Sequence, residues 1–238
     1  MLRFRRFQQI SRWLVVFCAS FLSLDNAVGG TIFESATLGP TGVPFSDVLT
    51  QITPGTNVGR GIFQGVRFYV STSAETSRIG GHFVAPTTGL NLFGAIVRLT
   101  DEADFPDSSD LSTADVLGVT SIPIGMFSGE SLGNLSVPLD PGWHALVFGG
   151  GLFGAGESAA VLRNGVDVGS PRYITWDTNF GGIGWGEQFN EFRNQRYVIE
   201  GQMVPESMLG PHFFLIAGTL LLRGAARGAG RSAFISDP

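Results

Sequence analysis

Carboxylates crowd one stretch of the chain, where Asp101, Glu102, Asp104, Asp107 and Asp110 alternate with Pro106, Ser108 and Ser109. Oxygen ligands on a flexible loop are what Ca²⁺ requires, which makes Asp101, Asp104 and Asp107 candidate calcium ligands. The spacing is not that of an EF-hand, which needs acidic or amide ligands at alternate positions and a glycine at the sixth. A solvated acidic loop without metal is the better account. A second candidate set is aromatic: Trp143, Tyr173, Trp176 and Trp185, with Phe180 and Phe189 in a stretch rich in Gly and Asn. Exposed rings in a polar loop can stack on the apolar faces of sugars, so Trp176 and Trp185 are the candidate carbohydrate-binding residues. The same rings can close the end of a core, and that is the role expected of them. Convergence of Asp177, Glu187 and Glu191 with Trp185 in one groove would instead supply the paired carboxylates of a polysaccharide hydrolase.

Other chemistry is sparse. His82, His144 and His212 are the only histidines, and neither of the first two sits in an HExxH or nucleophile-elbow context. Both are expected as strand residues, hydrogen-bonded or facing solvent. The run Gly149 to Gly156 (GGGLFGAG) lacks the Gly-Lys-Ser/Thr of a phosphate loop. It is expected to join two strands, with Leu152 and Phe153 plugging the domain or forming a contact tip. The single Cys18 lies in an apolar segment expected to be removed, which excludes disulfides, Cys-ligated zinc and a thiol nucleophile. The residues therefore point to no catalytic set and no cofactor.

The elements that must position these residues are strands. Val66, Phe68 and Val70 alternate with Arg67, Tyr69 and Ser71, and Phe93, Ala95, Val97 and Leu99 alternate with Gly94, Ile96, Arg98 and Thr100. Side chains flip at every residue of a strand, so each set shares a face. Leu135, Val137 and Leu139 repeat the pattern, and Asp140-Pro141-Gly142 then turns into Trp143 to Phe148, apolar on both faces. This predicts a hairpin whose second strand is central. Further strands are expected over 78–85, 159–163, 173–176 and 195–200, with Tyr197 and Ile199 inward. No useful helix is expected between residues 31 and 203 beyond a turn near 112–117. Short strands separated by Gly, Pro, Asn and Asp predict an all-β, antiparallel β-sandwich of jelly-roll type.

The chain has 238 residues, 34 of them Gly, no Lys, 15 Arg and a net charge of -5. That balance argues against nucleic acid as a partner. The N-terminus carries Arg3, Arg5, Arg6 and Arg12 ahead of the apolar run Trp13 to Leu24. A positive segment followed by an apolar run too short to span a membrane is the pattern of a secretory signal helix, with cleavage expected near Gly29 or Gly30. At the other end Val204-Pro205-Glu206-Ser207 precedes the apolar segment Met208 to Leu222 and then Arg223, Arg227 and Arg231. An apolar helix with a positive flank is oriented with its arginines in the cytoplasm. Fifteen residues at about 1.5 Å each fall short of a hydrocarbon core near 30 Å, which favours a transient anchor.

The order Val-Pro-Glu, apolar helix and arginine cluster resembles the PEP-CTERM sorting signal, with Ser207 where that family has its second proline. The segments 94–118, 139–156 and 192–201 are similar to the ectodomains that carry such tails. The resemblance implies a signal peptide over 1–29, a β-sandwich ectodomain over 30–203 and a sorting tail with a short membrane helix over 204–238. It also implies an exosortase-like processing enzyme as partner, with exopolysaccharide or other envelope components as further partners and the cell envelope, cell surface or extracellular space as destination. The expected function is that of an exported, non-enzymatic surface or matrix protein, the alternative being a carbohydrate-binding module or polysaccharide hydrolase.

Overall fold

The computed structural model describes residues 29–50, 54–156, 158–178, 184–188 and 193–204. Nearly all regular structure is antiparallel strand: β1 (Gly30–Glu34), β2 (Gly55–Gly59), β3 (Ile62–Val70), β4 (Ala74–Val84), β5 (Leu90–Arg98), β6 (Val116–Ile124) and β7 (Gly129–Asn134). The remainder are β8 (Pro138–Leu139), β9 (Gly142–Gly149), β10 (Ser158–Leu162), β11 (Arg172–Asp177), β12 (Trp185–Glu187) and β13 (Tyr197–Met203). Among the described residues one helical turn, α1 (Phe45–Leu49), interrupts them. The expected signal helix and the expected C-terminal helix lie outside the described residues, as do Pro205, Glu206, Arg223, Arg227 and Arg231.

The strands form one hydrogen-bonded network that folds back on itself. One layer runs β1-β13-β4-β7, and the other runs β11-β3-β9-β5-β6 with β12 outside β11. The β2–β10 pair links them, because β10 also meets the end of β4 while Gly59 of β2 meets Ile62 of β3. Period-two alternation then decides which residues fill the space between the layers. Val66, Phe68 and Val70 of β3 point inward with Leu146 and Phe148 of β9, against Ile79 and Phe83 of β4 and Tyr197 and Ile199 of β13. Rings pair across the gap: Phe33 with Phe68 at 5.1 Å, Phe83 with Phe148 at 5.1 Å and Tyr197 with Phe148 at 5.2 Å. Gly94 faces this crowded region, where a Cβ would lie 2.9 Å from Ile79 and Ile122 methyl groups, so only hydrogen fits.

The outward face of the second layer is also apolar. Phe63, Phe93, Ala95, Val97, Ala145, Val147 and Ile174 make a second cluster, covered by Leu111, Phe105, Trp176 and Trp185. That explains why β5 and β9 are apolar on both faces. β6, which carries Pro123, pairs only with β5, and an edge is where a strand proline is tolerated.

One expectation is corrected. Leu135, Val137 and Leu139 all turn inward, but they do not form a hairpin with Trp143 to Phe148. β8 holds only Pro138 and Leu139 and pairs with β4, while β9 inserts between β3 and β5 in the other layer. Asp140-Pro141-Gly142 therefore carries the chain from one layer to the other. The second strand is central, as expected, but its neighbours come from elsewhere in the chain.

Candidate functional site

The acidic run and the tryptophan hairpin, separate in sequence, are packed together over the outer cluster. Arg67 is the pin. Its side chain is 1% exposed beneath them, pairing with Glu187 of β12, donating to the Asp104 carbonyl at 3.3 Å and lying 4.9 Å from the Phe105 ring. Arg172 pairs with Glu102 at 3.0 Å, and Trp185 Nε1 donates to the Ser108 carbonyl at 3.2 Å. The two candidate sites are thus a lid and its fastening.

The carboxylates of Asp101, Asp104 and Asp110 accept hydrogen bonds within the loop's own turns. Asp104 accepts from Thr100 N and Oγ1 at 2.8 Å each and from Phe105 N at 2.8 Å. It titrates below the usual carboxylate range: desolvation pushes it up, and these hydrogen bonds and Arg67 outweigh that push. Asp101 caps Ala103 N at 2.8 Å, Asp110 accepts from Ser112 Oγ at 2.7 Å, and Asp107 N donates to Asp115 at 3.0 Å. Among the described residues no group of three His, Cys, Asp or Glu is arranged to hold a metal ion. Asp101, Asp104 and Asp107 do not come together as a ligand set.

Trp176 and Trp185 are both half-buried, their rings 5.9 Å apart and tilted by 60°. Trp185 also packs 6.2 Å from Phe63. They cover core, the role favoured by the sequence. Glu187 faces Arg67, Asp177 closes the β3–β11 register opposite Ile62, and Glu191 lies outside the described residues.

Another aromatic pair, with one ring well exposed, stands elsewhere. Tyr69 of β3 and Trp143 of β9 are direct cross-strand partners with centroids 5.4 Å apart, and Tyr69 is 58% exposed. They divide two open grooves. One, of about 480 Å³, runs past Phe33, Glu34 and Pro171; the other, of about 430 Å³, runs past Arg98, Thr100, Asp140 and His144. Arg98 and Asp140 form an exposed ion pair at 2.9 Å on the second groove's rim.

No protein-family model and no curated protein matches this chain. Function must be argued from the grooves and rings themselves. The sequence pattern names both residues of the ridge, Tyr69 on the strand face opposite Val66, Phe68 and Val70, and Trp143 among the aromatics. The register that sets them side by side is a property of the β3–β9 pairing, which no local pattern reports.

The two described histidines are buried inside the strands. Asn164 Nδ2 donates to the Leu162 and Asn194 carbonyls, so its Oδ1 accepts from His82 Nδ1 at 2.6 Å and from Gly39 N at 2.7 Å. His144 Nδ1 faces the Gly142 carbonyl at 3.2 Å, and its ring stacks 5.5 Å from Phe68. Both Nε2 atoms are buried without a hydrogen-bond partner. Burial lowers both pKa values below the ordinary 6.5, against weaker opposing pulls from Asn164 and Glu130 at His82 and from Gly142 at His144. Below pH 6.5 the unfolded chain takes up protons that the folded chain refuses, so stability is full above 6.5 and declines as pH falls toward the lowered values. Each histidine can contribute up to about 1.4 kcal/mol per pH unit in that window. Thermal melts at pH 7.5 and 5.0 are expected to show this loss, with a shallower dependence in His144→Gln. An unchanged slope in the variant would remove His144 from the account.

A further buried polar group is structural. Tyr173 donates to Asp167 at 2.6 Å and Tyr197 to Gln195 Oε1 at 2.6 Å. Burial raises both phenols well above their usual value, which keeps them as donors.

Proposed function

We propose that this chain is an exported, non-enzymatic surface or matrix protein, delivered by an N-terminal signal and sorted through the PEP-CTERM-like tail by an exosortase-like enzyme. The observation that carries this reading is where the two ends of the domain emerge. Gly30 of β1 pairs with Gly201 of β13, and Val204 N reaches the Ser73 carbonyl at 2.7 Å. Gly30 and Val204 therefore lie at one pole of the domain. Processing at both ends can then proceed with the loss of no more than the first residue of β1.

The jelly-roll form of the sandwich belongs to the same proposal. Eight strands in chain order, β1, β3, β4, β5, β6, β7, β9 and β13, pass back and forth between the layers β1-β13-β4-β7 and β3-β9-β5-β6, with one step, β5 to β6, made within the second layer. That interleaving is the pattern of two Greek keys rolled together, with β2, β8, β10, β11 and β12 as additions. Commitment of the acidic loop to turns and ion pairs supports the non-enzymatic reading over the hydrolase alternative, and exopolysaccharide or another envelope component is the natural partner of such a surface.

Fractionation of the native producer with intact-mass measurement is the test. The mature chain is expected to begin between residues 28 and 31. Truncation after Met203 is expected to release the protein while moving Tm by less than about 2 °C, below the shift that 1 kcal/mol produces at this size. Native protein still carrying Arg3 to Leu24, or a truncated domain melting several degrees lower, would overturn the reading.

A further inference from the structure

We infer that the Tyr69–Trp143 ridge is a binding site for a neutral pyranose polysaccharide, with the chain of sugars lying across the ridge from one groove into the other. The inference names the partner within the non-enzymatic reading above, and it does not depend on export or on the tail.

The first support is the exposure of the rings. A tyrosine more than half exposed on a strand, beside a half-buried tryptophan, presents apolar surface to water. Trp143 packs partly against the outer cluster, as Trp176 and Trp185 do, but it lines both grooves, whereas Trp185 is fastened to Phe63 and to the Ser108 carbonyl of the acidic loop. The second support is concavity. Both grooves fall in the size range of ligand clefts, about 300–1,000 Å³, and both are walled by the same two rings. Open grooves meeting at a ridge suit an extended chain better than a compact ligand.

The polar groups set the chemistry. Arg98 and Asp140 offer donors and an acceptor at the rim, Thr100 adds a hydroxyl, and the charges of the pair compensate one another. A pyranose ring has an apolar C–H face ringed by hydroxyls, and this site has an apolar plate beside matched donors and acceptors. The compensated pair argues against an acidic polymer. On the other side, the groove is bounded by β1, which among the described strands pairs only with β13. A bilayer surface would call for protruding rings without flanking grooves.

Gly142 and Pro141 hold Trp143 at the start of β9, and Val70 pairs with Gly142 one position beyond the ridge. The turn after Val70 leads to Ala74, the partner of Met203. The site therefore lies toward the pole that holds Gly30 and Val204.

The test is affinity electrophoresis of the full-length chain, kept in a detergent without a sugar headgroup, through gels cast with hydroxyethylcellulose, galactomannan or dextran, with alginate as the acidic control. At least one neutral polymer is expected to retard the protein, more strongly than alginate does. Tyr69→Ala is expected to weaken retardation at least about tenfold, Tyr69→Phe to keep it, and Arg98→Gln with Asp140→Asn to weaken it severalfold. Tyr69 is exposed, so its variant should melt as the wild type does, and that control is run in parallel. Failure of every neutral polymer, or equal retardation of wild type and Tyr69→Ala, would overturn the proposal. It is equally overturned if Tyr69 controls binding to phosphatidylcholine vesicles or self-association in light scattering, since the ridge would then belong to a bilayer or a second copy. Because the assay uses purified protein, its failure leaves the sorting reading intact, and failure of fractionation leaves a Tyr69-dependent site standing.

Discussion

Phe148→Ala is expected to destabilise the domain by about 3–5 kcal/mol, the cost of emptying a ring-sized volume from a packed core. Phe148 is fully buried on the central strand β9, where its ring meets Phe83 and Tyr197 from the facing layer. Both neighbours belong to strands already fixed by their own pairings, β4 by β13 and β7, so the walls can collapse little. At about 2–4 °C per kcal/mol for a domain of this size, Tm should fall by roughly 6–20 °C. Phe153→Ala is the comparison. That ring packs edge-on to Phe93 at 5.5 Å but is half exposed at the tip of the Gly-rich loop, so its loss should cost under about 1 kcal/mol. Urea unfolding of both variants measures the difference, and similar midpoints would mean that the layers do not close through Phe148.

Arg196→Met is expected to cost about 2–4 kcal/mol, by a different route. The Arg196 guanidinium donates to Glu34 at 2.6 Å, to Glu130 at 2.7 Å and to the Ala36 carbonyl at 2.7 Å. Burial opposes its charge, and the two carboxylates more than restore it, raising its pKa above the usual value. Methionine fills much of the volume but leaves two carboxylates and a buried carbonyl without their donor, and breaking a buried pair from one side is the costly direction. Glu34 and Glu130 are each partly exposed and can recover some hydration, which keeps the expected loss toward the lower end. The sign of the coupling is testable. Adding Glu130→Gln to Arg196→Met should recover part of the loss, whereas Glu130→Gln alone should destabilise. Additive costs in the double variant would place the effect in packing and not in charge.

Much of the architecture could be read from alternation. On β3 the assignment of Val66, Phe68 and Val70 to one face and of Arg67 and Tyr69 to the other holds residue by residue, as does the inward direction of Tyr197 and Ile199. β13, β10 and β11 fall within a few residues of where the pattern places them. The expected hairpin at Asp140-Pro141-Gly142 failed for a definable reason. A turn signal says that the chain reverses, not that the flanking strands pair, and here Leu139 is needed opposite Ala74 while β9 is needed between β3 and β5. The helical turn α1 was also missed, because five residues carry too little periodicity to register.

The candidate site divides along the same line. The sequence by itself determined the strand class, the inward and outward residues and the types available for chemistry: an acidic loop, a handful of aromatic rings and two internal histidines. Only the tertiary structure decided what each of them does. It spent Asp101, Asp104 and Asp110 on turns, placed Trp176 and Trp185 over the outer core, and left Tyr69 exposed beside the half-buried Trp143 between two grooves. The physical reason is range. Side-chain alternation follows from backbone geometry a few residues at a time, whereas strand order and register depend on which apolar faces close over one another. The entropy of closing a loop grows only slowly with its length, so it gives little preference to the sequence neighbour over a distant strand.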